Sequence, residues 1–158
     1  MRFTVNADNV STGAVADTFT TELAMRAADT AGYRFRLRSL SVGPADDVPG
    51  DLNLAVQVKR VDDVSAGGAG TSTAVTPVPK DSLSRASVIT AGKAHTVEPT
   101  TYGDPLWQVD INRRNSFIKE WAAEDAPVAN RDQLLGVLLA PRTAAAAVVS
   151  IAAEFEEF

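Results

Sequence analysis

The single histidine, His95, lies in the stretch AGKAHTVEP, close before Glu98. An imidazole beside a carboxylate is most of an acyl-transfer relay: the carboxylate orients the ring, and the ring takes the proton of a nucleophile. The nucleophile is missing. No G-x-S-x-G elbow occurs, and the chain has no cysteine to replace the serine. His95 is therefore expected on an exposed loop. The run Gly67-Gly68-Ala69-Gly70 continues into Thr71-Ser72-Thr73 without the lysine of a phosphate-binding loop, so it reads as a flexible hairpin loop. Asp46, Asp47 and Asp51 in PADDVPGD, and Asp62-Asp63 after them, could offer oxygen ligands to Ca²⁺. They lack EF-hand spacing, and Asp beside Pro-Gly is ordinary turn chemistry. Glu154, Glu156 and Glu157 would have to flank a sugar-sized cleft to hydrolyse a glycosidic bond. Their place on an alternating C-terminal segment suggests a solvated strand face instead. No catalytic, metal or cofactor site is expected.

The most distinctive charged feature is Arg34-Phe35-Arg36-Leu37-Arg38, with three arginines on one side of a strand and two apolar residues on the other. Such a row repels itself unless carboxylates on neighbouring strands, or a partner, stand opposite. Arg34, Arg36 and Arg38 are thus candidates either for cross-strand ion pairs or for a protein-binding face. Nucleic acid would want aromatic side chains interleaved with the row, and none are. Tyr102, Trp107 and Trp121 could stack on sugars, but Trp107 is in phase with Val109 and Ile111, which points it inward.

The elements that must carry these residues are strands. Leu52 to Lys59 and Val149 to Glu156 alternate apolar and polar residues with a period of two. Leu134 to Leu139 is apolar on both sides, the mark of a strand covered on both faces. At Ser39 the alternation slips and Leu40 and Val42 take over the apolar side, which is how a β-bulge looks in sequence. Thr18 to Ala28 and Ser116 to Ala123 fit helix or strand spacing, and both are read as strands. Ala86 to Thr90 is a short run ending at Ala91-Gly92. Gly and Pro punctuation cuts the chain into about eight or nine strands, an antiparallel all-β sandwich or barrel. The expected core includes Phe35, Leu37, Leu54, Val56, Val109, Ile151 and Phe155.

The 158 residues fit one domain, and 45% hydrophobic with 22% charged residues is an ordinary globular balance. A net charge of -5 argues against general nucleic-acid binding. No basic-then-apolar leader and no apolar run of membrane-spanning length occurs, so a chain made in the cytosol is expected, one that would leave a cell only by a route that needs no signal peptide. Residues 1–17 are polar, with Asn6, Asp8, Asn9 and Gly13, and read as an N-terminal arm anchored by Phe3 and Val5. Those two residues then become candidates for pairing with a neighbouring subunit. Residues 18–158 form the sandwich domain.

Arg38 to Gly43 reads RSLSVG, Glu98 to Gly103 reads EPTTYG, Leu106-Trp107 opens a strand, and Trp121-Ala122 follows. In these features, and over most of the chain after the first ~30 residues, the sequence resembles small tailed-phage structural proteins encoded among virion genes. The resemblance implies a jelly-roll-like fold and a virion protein without enzymatic activity. The implied role is a head decoration, or cement, protein on the outside of an icosahedral capsid. Its partners would be the major capsid protein and its own copies, as a homotrimer at local three-fold axes, with no nucleic acid, membrane or cofactor. The alternative is a carbohydrate-binding or host-recognition module on a virion appendage.

Overall fold

A computed structural model describes residues 1–27, 33–45, 50–64, 68–83 and 85–158. Its architecture is that of one long antiparallel ribbon folded on itself. β1 (Arg2–Ser11) pairs with β12 (Val148–Glu157), and β2 (Thr20–Ala27) with β11 (Leu134–Pro141). β3 (Phe35–Pro44) pairs with β9 (Phe117–Glu120) and β10 (Val128–Ala129), and β4 (Asn53–Val61) with β8 (Tyr102–Asn112). First meets last, second meets second-last, and so inward: this nesting is the jelly roll. β5 (Thr71–Val75), β6 (Val78–Pro79) and β7 (Ile89–Val97) belong to an insertion between β4 and β8.

The strands form two sheets. In the first, β6, β1, β12 and β3 lie side by side, with β9 and β10 along the far side of β3. In the second, the order is β5-β7-β2-β11-β4-β8. Between them Phe155 of β12 stacks on Phe3 at 5.5 Å between ring centres and meets Phe35 edge-on at 5.7 Å. All three rings are fully buried. β12 keeps strict alternation, as a sheet with one wet face requires. β11 is buried at all eight positions, because the outer face of its sheet is covered. There Ala24, Val61, Val64 and Leu134 form a second apolar cluster beneath Ala69 and Tyr102.

Several expectations need correction. Residues 1–17 are not an arm. β1 runs between β12 and β6, and Phe3, Val5, Ala7 and Val10 are at most 1% exposed. Phe3 and Val5 are therefore core residues and offer nothing to a neighbouring subunit. Asp8 and Asn9 hid the strand because they form a bulge: the register against β12 shifts between Ala7 and Val10, and Asn9 has φ +54°. The rest of the segment is tied down as well. Thr12 N–H donates to the Ala147 carbonyl at 2.9 Å, and Asp17 N–H to that of Pro141 at 2.8 Å. Gly92 does not end a strand but lies inside β7, since a Cβ there would sit 2.0 Å from Ser72 Oγ on β5. Val109 is only half-buried, because β8 is a sheet edge. The two ambiguous segments are strands, β2 and β9, though Ala28 lies outside the described residues.

Candidate protein-binding face

β3 carries the arginine row, and the row splits. Leu37 and Leu40 both point into the core at 0% exposure, so two residues stand where alternation allows one. The register against β12 steps from Leu37 opposite Phe155 to Ser39 opposite Glu154, which leaves Arg38 as the bulged residue. This is the slip that the alternation at Ser39 predicts. The Arg38 carbonyl, freed from β12, accepts the N–H of Trp121 at 3.0 Å.

Arg36 takes the cross-strand option. Its Nε lies 2.9 Å from Glu156 Oε2, and its guanidinium stands 5.0 Å over the Phe158 ring. Glu156 faces Arg2 of β1 on its other side. The hydrogen bond from Arg36, then the charges of Arg36, Arg38 and Arg2, hold the Glu156 carboxyl below the usual carboxylate range, against a smaller cost of burial. Lys80 is bonded to Glu154. Arg34 is exposed just before β3, and its backbone pairs with that of Phe158. Among the described residues the side chains of Arg2, Arg34 and Arg38 have no hydrogen-bond or ion-pair partner. Arg2, Arg34, Arg36, Arg38 and Lys80 stand on this face with Glu120, Glu154 and Glu156, and the exposed Glu124 and Asp125 follow Ala123, whose carbonyl oxygen lies 3.5 Å from Arg36 Nη1. The whole chain has a net charge of -5.

The second charged cluster lies on the outer face of the other sheet. Both Glu98 oxygens accept the Thr21 N–H at 3.0 Å, and the Thr21 hydroxyl donates to the same carboxylate. The Tyr102 hydroxyl lies 3.1 Å from Thr21 Oγ1, and His95 Nδ1 lies 3.1 Å from the Thr21 carbonyl oxygen. His95 and Glu98 thus both bind Thr21 rather than each other. Glu98 serves as a clamp on β2 at its bulge, where the register against β11 shifts between Val137 and Leu138. Burial lowers the His95 pKa and raises that of Tyr102 well above its usual range. Gly136 makes room for Tyr102: a Cβ there would come within 2.2 Å of its hydroxyl. Sequence reasoning missed Glu22, which is 2% exposed and whose carboxylate accepts from Thr20 Oγ1 at 2.6 Å. Burial is the main cause of its raised pKa, and the nearby charge of Glu98 adds to it.

The remaining candidates have structural roles. Glu157 is not on the solvated face: its side chain is 1% exposed and binds Arg85 Nη2 at 2.7 Å and Val88 N–H at 3.0 Å. Trp107 stacks on Phe117 at 5.7 Å and meets Trp121 edge-on at 5.6 Å, bridging the open side between β8 and β9. Gly70 has φ +73°, and a Cβ there would lie 2.3 Å from the Val97 carbonyl oxygen, so the glycine answers a close approach of two backbones. Asp51 accepts from Asn112 Nδ2 at 2.6 Å. Asp46, Asp47 and Gly67 lie outside the described residues. Among the described residues no group of three or more histidine, aspartate or glutamate side chains could hold a metal ion.

No protein-family model matches the chain, and no curated protein matches it. Among solved structures, one chain of the T13 IBDV viral particle, a structure described as revealing a missing link in icosahedral viruses evolution, aligns at 14% identity and a TM-score of 0.23. The alignment covers 98% of this chain and 38% of that one. At that TM-score the likeness carries no argument about function.

Proposed function

We propose that the chain is a non-enzymatic tailed-phage virion protein, a decoration (cement) protein that binds the outside of the head and stabilises it. The observation that carries this reading is the arginine face: a sheet face on which, among the described residues, the side chains of Arg2, Arg34 and Arg38 have no hydrogen-bond or ion-pair partner, on a chain that is acidic overall. Arginine suits a protein partner, since its planar fork binds a carboxylate through two hydrogen bonds. The resemblance carried by RSLSVG and EPTTYG supports the virion setting. In this fold the first is the β3 bulge and the second is the clamp on Thr21, so both motifs are scaffolding rather than chemistry.

In this reading the major capsid protein is the partner and the virion is the location. A homotrimer at a local three-fold axis would use the same face three times. The host-recognition alternative would need Trp107 and Trp121 as open platforms, but they pack on each other and on Phe117. The test is co-sedimentation of the purified chain with undecorated heads of its own phage, together with its oligomeric state in solution. Saturable binding that raises the heat resistance of the heads is the expected result. Wild-type protein that binds no such head ends the reading.

A further inference from the structure

The outer face of the first sheet holds a shallow depression of about 140 Å³, lined by Arg2, Arg38, Ser39, Glu120, Trp121 and Glu154. Two of the three arginines without a partner meet here, although their strands, β1 and β3, are separated by β12. Regular alternation places Arg38 on the outer face with Arg36, and the extra residue of the bulge keeps Ser39 outward beside it while Leu40 returns to the core. We infer that this depression takes one carboxylate side chain of a partner protein, gripped between Arg2 and Arg38, and that Arg36 is not part of the grip.

Lys80 is bonded to Glu154, and Arg36 is bonded to Glu156, on which the charges of Arg2 and Arg38 also act from further away. Among the described residues neither of these two guanidinium groups has a hydrogen-bonded carboxylate of its own, and Glu120 and Glu154 line the depression beside them. Trp121 lines it as a buried residue, 7% exposed, whose backbone N–H is bonded to the Arg38 carbonyl. The space suits one acidic side chain and is well below the roughly 300 Å³ at which drug-sized ligand pockets begin. An exposed ion pair contributes little, but a partner that covers a depression also removes its water, and the pair then gains strength. This inference deepens the decoration reading and depends on it for the identity of the partner, not for the chemistry of the site.

The test uses the intact chain and a hexa-aspartate peptide as probe, followed by calorimetry at low ionic strength. Wild type and Arg36→Ala are expected to bind the peptide alike. The Arg2→Ala/Arg38→Ala double variant is expected to lose about tenfold or more in affinity. Arg38→Lys, which keeps the charge but not the fork, should fall between them. Circular dichroism checks that each variant is folded. A double variant that binds like wild type, or a wild type that does not bind at all, overturns the inference. So does displacement of the peptide by an equal concentration of sulfate, which would mark a general anion site. Loss of peptide binding in the double variant while wild type fails to sediment with heads would support the site and remove the decoration reading. Head binding that the double variant leaves intact would show that the depression is not the anchor.

Discussion

The two outer faces of this sandwich solve the same problem in opposite ways. On the second sheet the insertion between β4 and β8, together with the first residue of β8, supplies a cover. Tyr102 and Ala69 pack over Ala24, Val61 and Leu134, and Glu98 clamps Thr21. On the first sheet, among the described residues, nothing comparable lies over β12, and its outward positions are Val148, Ser150, Ala152, Glu154 and Glu156. The difference is written into the central strands: β11 is apolar at nearly every position, whereas β12 alternates. A covered face can afford leucine outward, and a face that stays wet must be polar. That face is also the one on which, among the described residues, Arg2, Arg34 and Arg38 make no side-chain hydrogen bond or ion pair.

The largest effect should come from removing residues 1–11. That deletes a strand hydrogen-bonded on both sides, with Phe3 in the aromatic centre of the core, and soluble folded protein should be lost. A cooperative unfolding transition in the truncated chain would show that the first sheet closes without β1. Next comes Leu134→Ala. Leu134 points away from the main core, but its cover buries it to 2%, so the loss should be about 2–3 kcal/mol in urea unfolding, as for a core leucine. A loss below ~0.5 kcal/mol, typical of an open surface, would mean that the cover is loose.

The third test separates the faces by pH. Glu22, under the cover, has a carboxyl raised above its ordinary value of 4.5, so the folded chain binds this proton more tightly than the unfolded chain. The stability that proton provides is complete below 4.5 and is lost as pH rises through the folded value. Glu22→Gln should therefore be more stable than wild type near neutrality, with the two converging as pH falls to 4.5. Glu156, on the bare face, is shifted the other way. Its contribution is present above 4.5 and fades on acidification through its lowered value. Parallel stability–pH curves for Glu22→Gln and wild type would remove this contrast. The smallest expected effect is Arg36→Ala, which breaks a pair about one-quarter exposed on both sides and should cost less than about 1 kcal/mol in thermal unfolding.

The sandwich was legible because burial on one side imposes a period of two, and the slip at Ser39 located the bulge that returns Leu40 to the core. β1 was not legible, because its own bulge at Asp8-Asn9 gives it the composition of a loop. The arginine row could be seen, but its division could not. Whether Arg36 or Arg38 meets a carboxylate depends on which residue of β12 stands opposite, and that register is a long-range fact. Glu22 gave no local signal at all, since its burial and the nearby charge of Glu98, 76 positions further along the chain, are set by the tertiary fold. Glu157 looked like its neighbours Glu154 and Glu156, but it follows an alternation that points it inward toward Arg85.

The nested pairing also has a kinetic side. β12 lies between β1 and β3, so the centre of the first sheet cannot form until β12 has been synthesised. Until then β1 and β3 would expose Phe3, Phe35, Leu37 and Leu40 to solvent with no strand between them. Folds that rely on such distant pairings fall at the slow end of the range, milliseconds to seconds, and their half-made chains are prone to aggregate. On a polysome the charged side chains of Arg2, Arg36 and Arg38 would then act as a brake on premature strand-to-strand contact between nascent copies, before any of them has a partner to bind.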